Sequence, residues 1–320
     1  MRGPTHLSGF PPITGRGTAV SSWSESRPVT KATWGVVRAN PYLLLFPVVA
    51  AVVGIAVVLA VVGVALGLFG VEAATQQAEQ ATSGGEVPTS TAIIGVIVMV
   101  IAAYLGTLIT DICMGGLVAA ADAELQGRDS SFGAGIAQAF RRLPALLGWA
   151  GIQTAVGWLL SAIRGDGTSN NAIVAIIRAI AASLVAMAWS VVSFFVLPLI
   201  ILRGEGPVGA LKRSFALVKS TWGTQVSGRV RIGAMIALLG TLPGILVLVG
   251  GGFLTAASNL AVGVPLIILG IVVLMVASIL VSALKAVFSV ALLHFAETQQ
   301  PIGPFSAEQL QSAVKVSGHR

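Results

Sequence analysis

Six long apolar runs constrain the fold of this chain more than any other feature of its sequence. A helix of about 20 mostly apolar residues can cross the hydrocarbon core of a bilayer. Only 10% of the 320 residues are charged, against about 25% in a typical soluble domain, and the mean hydropathy is +0.92. The sequence therefore excludes a water-soluble enzyme and predicts a polytopic membrane protein. The runs cover residues 43–69, 92–121, 143–163, 172–202, 230–257 and 262–294.

The length of the runs predicts helices. Strands of a membrane barrel are about 10 residues long and alternate in polarity, whereas these runs are longer and do not alternate. The 38 glycines allow helices to approach closely. We therefore expect an all-α bundle of six transmembrane helices over residues 29–298. Residues 1–28 are rich in Gly, Pro, Ser and Thr and predict a disordered tail, and residues 299–320 predict a second tail with a short helix at 307–316.

The basic residues are distributed unevenly along the chain. Seventeen of the nineteen lysines and arginines fall in the two tails, in the loops after the second and fourth runs, or at the end of the last run. Only Arg164 and Arg178 fall on the other side. The positive-inside rule then predicts a cell-membrane protein with both termini in the cytoplasm. We expect this basic surface to contact anionic lipids of the inner leaflet and expect no nucleic-acid partner.

The sequence contains three units that share one plan: a basic amphipathic stretch, an apolar run, an outer loop and a second run. The stretches begin at Lys31, Ser131 and Gly206. A helix with an apolar stripe and basic edges lies in the plane of the membrane interface. Two interpretations stay open: these helices bind lipid or a partner protein, or they brace the bundle at its cytoplasmic surface. The candidate lipid contacts are Lys31, Trp34, Arg38, Arg141, Arg142, Lys212, Arg213, Lys219 and Trp222.

The helical periodicity of the second and third stretches predicts which residues share a face. Lys212 and Lys219 flank the face of the third stretch, where their stems can extend toward lipid headgroups. The second face contains Phe132, Ile136, Ala139 and Leu143, and the third contains Val208, Leu211, Phe215, Val218 and Trp222.

Three charged residues stand out inside the predicted spans, where charge is costly and is a functional hypothesis by default. Asp111 in the second run and Lys285 in the sixth lie at similar predicted depth. We hypothesise that they pair or that a water-filled cavity reaches each of them. A structural ion pair, extension of the side chain to the interface, and proton or ion coupling all stay open. Arg178 lies near the outer end of the fourth run, with Asp166 as a possible partner.

Two further features describe the ends and kinks of the runs. Asp122 and Glu124 close the second run beside Arg128, and two carboxylates are too few for a metal site, so the sequence predicts a solvated helix end. Pro243, in a glycine-rich part of the fifth run, makes that run the most prone to kink.

The sequence offers little that could carry catalysis. It contains no His-Glu-x-x-His helix and no phosphate-binding loop, and the fourth run lacks the Gly-x-Ser-Gly of a rhomboid-type serine protease. Cys113 is the only cysteine, and the histidines are the widely separated His6, His294 and His319. Pairs of nucleophile and base are therefore scarce, and we expect no enzymatic activity, no cofactor and no metal.

Two segments carry a resemblance to known proteins. They are PLIILRGEGPVGALKRSFALVKSTWG at 198–223 and WGVVRANPYLLLFP at 34–47. With them, residues 25–310 resemble a family of uncharacterised prokaryotic six-span proteins, a domain of unknown function. The span arrangement is more distantly similar to the membrane domain of some glycerophosphodiester phosphodiesterases, whose catalytic barrel is missing from this sequence. The resemblance implies a fold and a membrane location and assigns no activity.

The sequence thus predicts a non-enzymatic, multi-pass membrane protein that organises the cell envelope by binding lipid or protein, as a homo-oligomer or with membrane partners. The alternative is a small transporter or channel-like carrier that uses Asp111 and Lys285. A continuous polar cavity leading outward from Asp111 favours the carrier, and a solid core packed by glycine and alanine favours the binding protein.

Overall fold

The described part of the chain is helical and contains no strand. The computed structural model describes residues 32–70, 75, 89–165, 172–222, 245–253, 255, 260–306 and 310. The expectation of an all-α protein is confirmed over these residues. The predicted tail at 1–28 and nearly all of the predicted helix at 307–316 lie outside them.

Nine helical segments follow one another along the described residues. They are α1 (32–39), α2 (Leu45–Phe69), α3 (Thr89–Leu125), α4 (Phe132–Arg141), α5 (Leu143–Arg164), α6 (Ala172–Val192), α7 (Pro207–Trp222), α8 (245–253) and α9 (Leu260–Thr298). A 3-10 turn at Pro41–Leu44 precedes α2, and a single α-helical turn at Val196–Pro198 runs into a π-helical turn at Leu199–Arg203.

Five of the described segments are long and apolar enough to cross a membrane. They are Pro41–Gly67, Ile93–Leu125, Leu143–Arg164, Ile173–Arg203 and Ala261–Thr298. They match five of the six predicted runs and suggest a membrane-embedded protein. The remaining run, predicted at 230–257 and including Pro243, lies mostly outside the described residues, and its described part at 245–253 is helical. The count of six spans, the threefold repeat and the predicted kink therefore stay predictions.

The fourth predicted run is interrupted. Helix α6 ends at Val192, and residues 193–195 form a turn before the chain resumes helical structure. Ser214 of α7 fills this break, since its hydroxyl donates to the carbonyl of Val192 and accepts from the Phe195 N–H at 3.2 Å. A buried backbone group without a partner is costly, so Ser214 stabilises the interruption. Gly204, with a positive φ of 70°, then ends the π-helical turn.

The buried core is concentrated at one end of the bundle. We call this the basic end, and it comprises α1, α4, α7, the segment 193–206, the first turns of α2 and α5 and the last turns of α3 and α9. The largest fully buried side chains lie there, and they include Phe46, Phe195, Phe295, Leu117, Leu146 and Leu199. The opposite end, called the far end, exposes long apolar side chains such as Ile176 (58%) and Met99 (63%).

A close helix approach fixes α4 on the bundle. A Cβ atom at Gly135 would lie 2.6 Å from the carbonyl oxygen of Gly116 on α3 and 2.8 Å from the ring of Phe46. The rings of Phe46 and Phe132 pack with centroids 4.6 Å apart, and Ala139 is fully buried. The predicted apolar face of α4 thus packs against protein, which favours the bracing interpretation for this helix.

Candidate functional site

Asp111 is a buried carboxylate in the middle of α3. Its side chain is buried, with only 6% of the residue exposed. Both carboxylate oxygens accept hydrogen bonds from Nε2 of Gln153 on α5, at 2.8 and 2.9 Å. Within the part of the chain that the structure describes, no salt bridge compensates the charge of Asp111.

Of the two arrangements hypothesised for Asp111 and Lys285, an ion pair or access by a cavity, the described salt bridges do not include the pair. Lys285 is exposed on α9 and forms no salt bridge with any described residue. Position along an apolar run gives the depth of a residue, whereas a pair also requires the two side chains to share a face. An exposed lysine can extend its stem along apolar surface and place its ammonium near the interface.

A lateral groove contains Asp111 and Gln153. Its volume is about 440 Å³, and it extends from Asp111 along α3 toward the far end. A second groove of about 360 Å³ between α2 and α3 adjoins it and is lined almost wholly by apolar residues. The first groove is lined by Val58, Ala102, Ala103, Gly106, Thr107, Thr110, Asp111 and Gln153.

The two threonine hydroxyls that line the groove donate hydrogen bonds to backbone carbonyls of their own helix. Thr107 Oγ1 donates to the carbonyl of Ala103 at 2.8 Å, and Thr110 Oγ1 donates to the carbonyl of Gly106 at 2.9 Å. Each hydroxyl oxygen keeps its acceptor capacity. The polar lining of the groove therefore offers acceptors.

Arg178 is exposed at the far end. Its Nη1 lies 2.7 Å from the position that a Cβ atom at Gly165 would occupy, so the guanidinium packs on the backbone where α5 ends. The suggested partner Asp166 lies outside the described residues. The structure thus holds Arg178 against the end of α5.

Three of the predicted lipid contacts are exposed on α1 and α4, namely Trp34 (41%), Arg38 and Arg141. Arg142 differs from them. It is half-buried, its guanidinium packs against Gly204, and its Nε is buried without a hydrogen-bond partner among the described residues. Its position supports a structural role between α5 and the π-helical turn. Lys31 and the side chain of Trp222 lie outside what the structure describes.

Helix α7 presents a mixed stripe to its surroundings. Val208, Lys212, Phe215 and Lys219 follow each other at spacings of four, three and four residues, which places them on one helix face. All four are exposed, with Val208 at 54% and Phe215 at 53%. The predicted single apolar face is thus divided, because Val218 and, in part, Leu211 pack inward. We call these four exposed residues the α7 stripe.

Arg213, another predicted lipid contact, is neutralised within the protein. Its guanidinium bonds Glu205 at 2.5 Å and Glu297 of α9 at 2.7 Å. Arg203 donates to the same Glu297 carboxylate through Nε at 3.0 Å. These pairs connect the π-helical turn, α7 and the end of α9.

The predicted solvated end of α3 is wrong. The helix continues to Leu125, and Asp122 is buried. A hydrogen bond of 2.6 Å joins Asp122 to Nε2 of His294 on α9, and Arg128 lies 3.2 Å away on its other oxygen. Packing of α9 over this turn excludes the solvent that the sequence had suggested.

Three of these partners had weak signals in the sequence. Gln153 is an amide inside an otherwise apolar run, and a buried amide requires a polar partner. Glu297 and His294 lie at the end of the last run, where they resemble ordinary interfacial residues. Only the packing of α9 against α3 and α7 gives them partners, and that packing leaves no local pattern.

The chain belongs to a family of unknown function (DUF6159), whose model matches residues 87–303, more than half of the chain. The matched range begins before α3 and includes Asp111, Gln153 and the ion pairs of the basic end, while α1 and α2 precede it. No curated protein and no solved structure matches the chain. The comparisons give no support to the more distant similarity to the membrane domain of glycerophosphodiester phosphodiesterases.

Proposed function

We propose that this member of the family is a non-enzymatic, multi-pass protein of the cell membrane whose basic end binds anionic lipid headgroups and so organises the envelope. Both termini then lie in the cytoplasm, as the distribution of lysine and arginine predicts. The observation that carries the proposal is the α7 stripe. It combines exposed valine and phenylalanine with exposed lysines on one face.

The chemistry of the stripe matches an interfacial helix. Apolar side chains on such a helix enter the boundary between headgroups and acyl chains, while lysine ammonium groups remain near the phosphates. Each basic residue near an anionic surface contributes about 1 kcal/mol to binding. Lys212 and Lys219 form no salt bridge among the described residues, so their charges are available to lipid.

The surroundings of the stripe support the same function. The opposite face of α7 is anchored, since Ala210 and Ser214 are fully buried and Arg213 is tied to Glu297. Because α7 is fixed to the bundle in this way, a lipid that binds to α7 is also positioned relative to the bundle. Exposed Phe140 (54%) and Arg141 at the end of α4 offer a second pair of apolar and basic side chains at this end.

The test compares two double variants in purified protein. Thermal unfolding is followed in neutral detergent with added phosphatidylglycerol or phosphatidylcholine. We expect phosphatidylglycerol to raise Tm more, since a ligand that binds only the folded state stabilises it. Lys212→Ala/Lys219→Ala should remove most of that difference, and the control Arg164→Ala/Arg178→Ala at the far end should retain it. Equal effects of the two lipids on the wild type, or equal losses in both variants, would contradict the proposal.

A second candidate function is a small carrier, and the groove at Asp111 favours it. The groove leads from a buried carboxylate toward the far end, as expected of a carrier. Lys285 has no part in this version, because it is exposed on another face. Uptake of a labelled cation into proteoliposomes, with and without Asp111→Asn, tests it; equal uptake by protein-free liposomes would reject it.

A further inference from the structure

We propose that Asp111, Gln153, Thr107 and Thr110 form a binding site for a small monovalent cation. The site stands apart from the lipid contacts of the basic end, and it names the ion that the second candidate function would carry. All four residues line the groove of about 440 Å³ between α2, α3 and α5.

The inventory of hydrogen bonds shows what the groove can bind. The amide group of Gln153 donates to both oxygens of Asp111, and the two threonine hydroxyls donate to carbonyls of their own helix. Four groups keep oxygens as acceptors: the carboxylate, the Gln153 amide and the two hydroxyls. The only donor left among these groups is the second amide hydrogen of Gln153, whereas a cation finds a set of oxygens.

The charge of the site selects the class of cation. Hard cations bind carboxylate, carbonyl and hydroxyl oxygens. A buried charge without a counterion is costly, and the single carboxylate of Asp111 is balanced by one positive charge. A divalent ion would leave the site with an excess charge in a low dielectric. Among the described residues, no three His, Cys, Asp or Glu side chains cluster as a metal site would require.

The structure also explains why Lys285 does not supply this charge. Lys285 is exposed on α9 and forms no salt bridge with a described residue. Asp111 instead lines a groove that opens sideways, through which an ion can enter. The neutral Gln153 orients the carboxylate without neutralising it.

The experiment measures stabilisation by alkali ions in the full chain. Thermal unfolding is recorded in neutral detergent without lipid, in sodium, potassium or choline chloride at one ionic strength. We expect Tm to rise with sodium or potassium relative to choline and to saturate as for one site. Asp111→Asn should abolish the rise, and Asp129→Asn, an exposed loop carboxylate, should retain it.

A second variant keeps the test decisive if Asp111→Asn does not fold. Thr110→Val preserves the shape of the side chain and removes one oxygen, so the half-saturating ion concentration should increase about 10-fold, as expected for one contact to a charged group. Three results would overturn the proposal: equal Tm in all three salts, which with a pH-dependent Tm would indicate a proton site; a rise that survives Asp111→Asn; or an unchanged half-saturating concentration in Thr110→Val. None of them depends on the lipid experiment.

Discussion

Leu184 and Leu199 belong to the same predicted span, but their surroundings differ. Leu199, at the basic end, is fully buried, whereas Leu184, toward the far end, is 57% exposed. Both lie in a segment apolar enough to cross a membrane. Hydropathy therefore identifies a span without showing whether a residue faces protein or lipid. In a bilayer the exposed leucine can contact acyl chains, which are as apolar as a protein core.

The basic end adds features that the far end lacks among the described residues. The fully buried phenylalanines and the paired carboxylates of Asp122 and Glu297 lie there, whereas close glycine contacts occur at both ends, as at Gly135 and Gly251. Packing and polar pairs specify one arrangement of helices, whereas apolar contact with lipid does not. We infer that the basic end carries most of the folding free energy of the described bundle.

The largest expected effect follows from this contrast in burial. Leu199→Ala should reduce the free energy of unfolding by about 2–5 kcal/mol, because it leaves a cavity in a packed core. Leu184→Ala, the matched control, should change it by less than about 0.5 kcal/mol, as for an exposed position without special contacts. Reversible unfolding in mixed micelles measures both values. Equal losses would show that the two ends are packed alike.

The close contact between α3 and α4 gives the next effect. Gly135→Ala should lower stability by about 1–3 kcal/mol, since the new methyl group would overlap the Gly116 carbonyl. Gly133→Ala on the same helix has no neighbour within 4 Å and should be stabilising by up to about 1 kcal/mol. The same unfolding measurement applies. A Gly135→Ala protein as stable as the wild type would refute the close approach.

The buried carboxylate at the end of α3 should contribute a comparable or smaller amount. Asp122→Ala removes the acceptor of His294 and of the exposed Arg128, and leaving the mostly buried His294 ring without its partner should cost about 1–3 kcal/mol. Asp129→Ala, in an exposed loop, is the control and should be neutral. Urea unfolding in detergent compares them. If both variants lose equally little stability, Asp122 would be solvated, as the sequence predicts, and the buried contact would be contradicted.

The smallest expected effect concerns the ion pairs of α7. Glu297→Gln should cost less than about 1 kcal/mol, because Arg203 and Arg213 are partly exposed and their charges are screened. The loss should shrink further in high salt. Thermal unfolding at low and high salt measures it. A large loss that salt does not change would place these pairs in the core of the basic end.

Five of the six predicted spans coincide with long apolar helices, because hydropathy over 20 residues depends only on composition. Sequence reasoning also predicted helical structure over α4 and α7, which the structure contains, because both segments have a clear helical period; their place at the membrane interface stays a prediction. It placed Phe215 and Val218 on one face, but the structure turns Phe215 outward and Val218 inward. Helical periodicity shows which apolar residues share a face, but it does not show which of them pack against the rest of the protein.

The polar contacts could not be predicted for a different reason. The partner of Asp111 depends on which faces of α3, α5 and α9 point toward each other, and only tertiary packing determines this. The same holds for Asp122 and His294, which are 172 residues apart. The break at 193–195 depends on Ser214, a residue in a different helix.

Labelling by lipids that carry a photoreactive group in the acyl chain separates residues that face lipid from residues that face protein. After irradiation in a bilayer, we expect adducts on the exposed far-end residues of α6 and α9, such as Ile176, Leu184 and Leu269. We expect none on buried Leu199 or Val290 of the basic end. Adducts spread equally over both sets, or absent from the chain, would contradict a membrane bundle whose packed core lies at its basic end.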